Sequence, residues 1–284
     1  MIEIGCCAFL FCKRSVDDGL RLVADLGFRC ADVSAADIGE KAQVDQMEAA
    51  ARPLELGREA RQAAARHDVR LEELFLCPVF VDGQRVEVNH PDSGLRQRVL
   101  EQFRRICDYA AQAGFRSVMG VPGTPQTGSS PEQDWGYSVE TLTQMVNIAR
   151  SAGVRLNVEP HVGSIIQDPR LAVKLAQDVP GLTYTLDYSH FISLGFKEAE
   201  VFPLHAYTAH MHARQAKLGS GGCVVEEGTI DFHAIIRQLW AAQWKGVIAM
   251  EYFAGRVTPL RHSGAFQNLV LAYQLEKLCE DKKG

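Results

Sequence analysis

Several things that would narrow the reading are missing from this chain. There is no basic excess: 30 Lys and Arg stand against 35 Asp and Glu, a formal net charge of −5 at pH 7. A protein built to grip a phosphate backbone usually carries the opposite balance, so nucleic acid is not an expected partner. No apolar run approaches the ~18 residues that suggest a bilayer span, so no membrane partner is expected either. The opening Met1-Ile2-Glu3-Ile4-Gly5-Cys6-Cys7 lacks the basic region and small-residue cleavage site of a secretory leader. The eight cysteines form no CxxC pair, and their spacings do not suit a zinc finger. Several sit in apolar runs, where a free cysteine acts as a small hydrophobe; reduced thiols and a cytoplasmic location follow as expectations. No GxGxxG follows an early strand, no Gly-Lys-Ser/Thr marks a phosphate loop, and there is no low-complexity tract or strong internal repeat.

What the chain does have is alternation. Short runs rich in Val, Ile, Leu, Tyr and Thr occupy residues 2–8, 29–34, 70–77, 117–121, 155–159, 183–187, 207–213 and 246–251. Such continuous apolar runs suit strands covered on both faces. Amphipathic stretches lie between them. In residues 94–114, for example, Leu95, Val99, Leu100, Phe103, Ile106, Cys107 and Ala110 recur at helical spacing. Gly27, Gly114 and Gly153 each close a helical stretch just before an apolar run, as a left-handed helix stop requires. Eight strand–helix repeats in 284 residues predict one α/β domain spanning 1–284, a parallel (β/α)8 TIM barrel.

In such barrels the chemistry sits where the strands end. The fifth run ends in Glu159, the sixth in Asp187, the seventh in His212 and the eighth in Glu251. Three carboxylates on one rim repel one another unless a cation joins them. Glu159, Asp187, His212 and Glu251 are therefore expected to hold one divalent metal ion. Three oxygens and an imidazole suit Mn²⁺ first, and also Mg²⁺, Co²⁺ or Zn²⁺. His161 either binds substrate or orients Glu159. His210 shares a face with His212 and is read as a partner behind it rather than as a ligand. His67, His90, His205 and His262 are expected to pack or lie at the surface. Residues 219–222 read as a lid or a tolerated surface loop. Phe9, Phe11, Trp135 and Tyr252 are expected mainly to pack, or else to stack on a sugar ring.

The motifs Val158-Glu159-Pro160-His161, Leu186-Asp187-Tyr188-Ser189-His190, His210-Met211-His212-Ala213-Arg214 and Met250-Glu251 resemble those of the xylose isomerase-like barrels. That sugar phosphate isomerase/epimerase superfamily includes ketose 3-epimerases, inosose dehydratase and endonuclease IV. The resemblance covers essentially the whole chain, including Glu226-Glu227-Gly228-Thr229-Ile230-Asp231-Phe232. It implies that Glu159 and Glu251 also move the proton and that His190 binds substrate. The epimerases' arginine six residues after the metal histidine falls on Leu218, and their extra glutamate on Ile165. Arg214 or Lys217 is the nearby substitute cation. The ends of the third and fourth runs, Phe75-Leu76-Cys77-Pro78 and Met119-Gly120-Val121-Pro122, lack the histidines of endonuclease IV.

The expected activity is that of a metal-dependent sugar isomerase or epimerase, working by proton abstraction beside a carbonyl through a metal-stabilised enediolate. A dehydratase or lyase acting on a keto-sugar or keto-glycoside shares the first step and stays open. So does a barrel that binds sugar without turnover. The partner is a small sugar or sugar derivative, and the sequence neither requires nor excludes a homo-oligomer.

Overall fold

The computed structural model describes residues 1–11, 14–35, 42–77, 79–252 and 263–280; Cys12 and His262 lie outside these. In chain order the strands are β1 (Ile2–Cys7), β2 (Cys30–Ser34), β3 (Arg70–Phe75), β4 (Val79–Val81), β5 (Gln84–Val86), β6 (Ser117–Gly120), β7 (Arg155–Val158), β8 (Thr183–Asp187), β9 (Thr208–Ala213) and β10 (Gly246–Met250). β4 and β5 form a small antiparallel hairpin that the sequence reading did not anticipate. The other eight lie in the order β1-β2-β3-β6-β7-β8-β9-β10, and β10 pairs in parallel with β1 to close the barrel. Each of the eight apolar runs forms one barrel strand, so the expected (β/α)8 fold is the observed one.

The helices are α1 (Val16–Asp25), α2 (Gln46–Ala51), α3 (Pro53–His67), α4 (Ser93–Ala113), α5 (Pro131–Ala152), α6 (Pro169–Asp178), α7 (Tyr188–Ser193), α8 (Glu198–Val201), α9 (Phe232–Ala241) and α10 (Gly264–Glu280). Local chemistry sets their limits. Asp92 accepts from the backbone N–H groups of Gly94 and Leu95 to start α4, and Gly114 (φ +96°) ends it. Ser130 and Gln133 form a capping box at the start of α5. No helix of the described residues is long and apolar enough to cross a membrane.

Side chains alternate between two apolar groups along the strands. Cys6, Leu74, Val118, Ile248 and Met250 join the large core against the helices. Their neighbours Cys7, Phe75, Met119, Val247 and Ala249 form a second cluster with Phe9 and Cys30. Successive strand residues face opposite sides, so this second cluster fills the barrel interior. The interior also carries a polar belt. Glu73 Oε2 accepts from Ser117 Oγ at 2.7 Å and from Asn157 Nδ2 at 2.6 Å, and Glu73 Oε1 accepts from Thr185 Oγ1. Asp32 Oδ2 lies 2.7 Å from His210 Nε2. The belt spans β2, β3, β6, β7, β8 and β9, directly beneath the strand ends that carry the candidate site.

Candidate metal centre and active site

Each expected ligand stands at a strand end because the ladder carries it there. Asp187 closes β8, pairs in register with His212 of β9, and caps α7 by accepting from the Ser189 backbone N–H. Glu159 follows β7 and donates its backbone N–H to Gly120 O at 2.9 Å; Glu251 follows β10 and donates to Ala213 O at 2.9 Å. All four side chains are buried.

Three of the four converge tightly. His212 Nδ1 lies 3.2 Å from Glu159 Oε1 and 3.4 Å from Glu251 Oε1. Ligand atoms of Glu159, His212 and Glu251 all fall within 4.8 Å of one another. Asp187 stands one step aside. Its Oδ2 accepts from Ser189 Oγ at 2.7 Å and lies 2.9 Å from Arg214 Nη2. Arg214 Nη1 reaches Glu251 Oε2 at 2.9 Å, so one guanidinium ties Asp187 to Glu251. Arg214 Nε also donates to Ser189 Oγ at 2.9 Å. His190 Nε2 lies 3.6 Å from Asp187 Oδ2 and 3.8 Å from Glu159 Oε2. The His161 ring centre is 4.1 Å from that of His190, and His161 Nδ1 donates to Val162 O. Lys217 is placed differently: its Nζ pairs with Glu227 at 2.7 Å on the exposed loop, and the cavity lining does not include it. The reason is local, since its backbone N–H bonds to Ser220 O and ties it into that loop's own turn.

The charges are arranged under tension. Burial pushes the Asp187 carboxyl up to about 6, with Glu251 and Glu159 adding to the rise against the opposing pull of Arg214. Burial would raise Glu251 too, but Arg214 and then His212 outweigh it and hold that carboxyl at about 2. Burial opposes the charging of His212, yet Glu251 and other neighbours lift its pKa well above the usual imidazole value. His190 is pushed the other way by burial and by Arg214, so it is a neutral imidazole. Hard carboxylate oxygens around one imidazole nitrogen form a donor set that fits Mn²⁺, Mg²⁺ or Co²⁺, and accepts Zn²⁺. Glu159, His212 and Glu251 would hold such an ion, with Asp187 completing the set.

A cavity of about 830 Å³ opens above the cluster, lined among others by Phe75, Arg85, His161, Leu194 and Tyr252. Gly219, Gly221 and Gly222 also line it, so the 219–222 loop overlies the mouth. Next to Arg214, Gln215 accepts from the Ile230 backbone N–H at 3.0 Å and donates to Ile230 O at 3.1 Å. A Cβ on Gly228 would fall 2.0 Å from Gln215 Oε1, so the clamp needs glycine there. The Gly228-Thr229-Ile230 stretch thus fixes the segment that carries Arg214. Of the aromatics, Tyr252 lines the cavity, whereas Phe9 packs on Phe75 at 5.0 Å inside the barrel. Phe11 packs against the large core. Trp135 lies away from the mouth, donating to Asp178 Oδ2 at 2.9 Å beneath Lys174.

Sequence reasoning missed Ser189, which joins Asp187 to Arg214, and Asp32, which lies 3.3 Å from His212 Nε2. The signal for Asp32 was present: it is the one charge in the strand Cys30–Ser34, and a charge inside a fully buried strand needs a partner.

A closed parallel barrel with acidic and imidazole side chains gathered at the C-terminal strand ends defines an enzyme-like class of TIM barrel. The chain belongs to the xylose isomerase-like TIM barrel family, whose model matches residues 20–269. No curated protein matches it in sequence. Among solved structures it is similar to an L-ribulose 3-epimerase, at TM-score 0.77 and 17% identity, covering 100% of this chain and 97% of that one. It is similar also to a 3-keto-D-glucoside 4-epimerase from E. coli, at TM-score 0.73 and 16% identity, covering 96% of this chain and 100% of that one. A probable 3-DHS dehydratase from Bacillus anthracis superimposes at TM-score 0.70 and 12% identity, covering 95% and 98% of the two chains.

Proposed function

We propose that this protein is a divalent-metal-dependent isomerase or epimerase of a keto-sugar or sugar derivative. One observation carries the reading: Glu159, His212 Nδ1 and Glu251 converge at the barrel mouth, with Asp187 held beside them by Arg214. A divalent ion there would supply a Lewis acid for the negative charge that develops on a carbonyl oxygen. Glu159 takes the proton from the carbon beside that carbonyl. Glu251, on a strand separated from that of Glu159 by β8 and β9, returns a proton, and inversion follows where the two carboxylates flank opposite faces of the sugar. Neutral His190 and the Arg214 guanidinium face the same cavity and orient substrate oxygens, with His161 behind His190. Mn²⁺ is the favoured ion. A cytoplasmic setting suits the free thiols Cys6, Cys7, Cys30, Cys77, Cys107, Cys223 and Cys279.

A dehydratase or lyase is the second reading. Leu218 and Ile165 stand where the ketose 3-epimerases carry a cation and a carboxylate, and the cavity volume of about 830 Å³ leaves room for a leaving group. One experiment tests both. Metal-loaded Glu159→Gln and Glu251→Gln are assayed on a panel of keto-sugars and keto-glycosides in D₂O. The expected result is a loss of turnover of at least about 10²-fold in each variant. In the wild type, deuterium enters at the reacting carbon. Release of a leaving group would select the lyase. Near-wild-type turnover in either fully loaded variant would contradict the two-carboxylate mechanism.

A further inference from the structure

The polar belt beneath the mouth touches it at one place. His212 sits between the two: its Nδ1 faces Glu159 and Glu251, and its Nε2 faces Asp32 Oδ2 at 3.3 Å. The ring is gripped from the sides as well. Phe75 stacks at 6.1 Å between ring centres, and Phe9 meets it edge-on at 6.3 Å.

Asp32 is itself pinned. Its Oδ1 accepts from the Glu73 backbone N–H at 3.1 Å, its Oδ2 bonds His210 Nε2 at 2.7 Å, and Cys7 Sγ lies 3.7 Å from the same oxygen. The strands are bent to allow this. The β2–β3 register shifts between Ala31 and Val33, so two residues of β3, Glu72 and Glu73, stand opposite Asp32. That frees the Glu73 N–H from the ladder to meet a side chain. The β8–β9 register shifts between Tyr184 and Thr185, just before His210. Bulges re-aim side chains beside active sites. Here two of them flank the line from Asp32 through His210 to His212. A buried carboxylate costs several kcal/mol unless it is paired, so its place behind a ligand nitrogen needs a reason.

We propose that Asp32 is a positioning residue for the metal centre: standing 3.3 Å behind His212 Nε2, it fixes the ring so that Nδ1 faces the space bounded by Glu159 and Glu251, and raises that nitrogen's strength as a donor to a cation there. His210 completes the device by locking Asp32 in place. The physical basis is general, since a carboxylate on the far nitrogen of a ligating histidine sets both orientation and donor strength. This inference rests on the proposed function, because it needs the mouth to take a metal.

The test reads metal binding rather than turnover. Co²⁺ affinity by equilibrium dialysis, and the absorption spectrum of bound Co²⁺, are measured for the wild type, Asp32→Asn and Thr185→Val. Thr185 lies in the same belt and bonds Glu73, so its loss reports mere destabilisation. Expected is a 10–100-fold weaker Co²⁺ affinity in Asp32→Asn with a shifted spectrum. Thr185→Val should keep both wild-type values. Where Asp32→Asn fails to fold, His210→Gln replaces it and should weaken Co²⁺ several-fold. Wild-type affinity and spectrum in whichever Asp32 or His210 variant folds would overturn the inference, as would an equal loss in Thr185→Val. Failure of the wild type to bind Co²⁺ or Mn²⁺ would instead overturn the proposed function, so the two failures are separable.

Discussion

The barrel buries acid groups at two levels, and the two levels treat them oppositely. In the belt, Glu73 accepts from Ser117, Asn157 and Thr185, all neutral donors, and Asp32 is matched by His210. At the mouth, at the ends of β7, β8 and β10, Glu159, Asp187 and Glu251 crowd one another around His212 and Arg214. Burial and its carboxylate neighbours push Asp187 up to about 6, while burial is outweighed at Asp32, whose carboxyl is held well below its ordinary value chiefly by His210. A buried charge with its hydrogen bonds made is tolerated and is costly only when its partners are removed, whereas a crowd of like charges weakens a fold. Proteins keep the second arrangement where chemistry or binding uses it.

The widest separation between the levels should come from a pair of variants. Glu73→Ala removes the common acceptor of three buried donors and should cost about 3 kcal/mol or more of stability, read by denaturant unfolding. Glu159→Gln removes one of the crowded charges and should leave the metal-free protein as stable as the wild type or more so. A large stability loss in Glu159→Gln would erase the distinction.

Acid unfolding supplies a baseline from a group in neither level. His205 is buried with its Nε2 2.6 Å from Tyr188 OH, and burial holds it at about 4 rather than 6.5. The unfolded chain takes up that proton first. Stability is therefore intact above pH 6.5 and falls as the pH drops toward 4, by about 3 kcal/mol in all. His205→Gln should flatten this limb. Any acid response that survives in it and vanishes on metal addition belongs to the mouth.

Smaller effects should follow at the cations. Arg214 shares Asp187 and Glu251 with any ion that binds there. Arg214→Ala should tighten metal binding about tenfold, a coupling of ordinary size, while impairing turnover; calorimetric titration with Mn²⁺ checks it. Lys217→Ala should change kcat/KM less than about twofold, because an exposed pair with Glu227 is worth little.

The sequence carried the barrel well because each strand is an apolar run long enough to be seen, and the last four runs each end in a polar residue. Glu159, Asp187, His212 and Glu251 were legible for the same reason: a strand of known direction tells which end carries them. Arg214 was legible only as a nearby cation. That it reaches back two residues past His212 to join Asp187 and Glu251 depends on the Gln215 clamp at Gly228, a contact across 13 positions of sequence. Lys217 looked equivalent in sequence, but the turn to Ser220 carries it away. Asp32 was legible as a strand charge in need of a partner, but not as a neighbour of the site, because His210 and His212 lie about 180 residues downstream and the bulges that align them leave no local mark. The β4–β5 hairpin was hidden because its strands are three residues each, too short to show a period.

The central claim is that the mouth, and not the belt, takes the ion. Anomalous diffraction at the manganese edge, from crystals grown with Mn²⁺, tests it most directly. The account predicts one peak per chain, bounded by Glu159, Asp187, His212 and Glu251, and its disappearance in Glu159→Gln crystals or its marked weakening. The absence of any peak in the wild type, or a peak centred on Asp32 and His210, would contradict it.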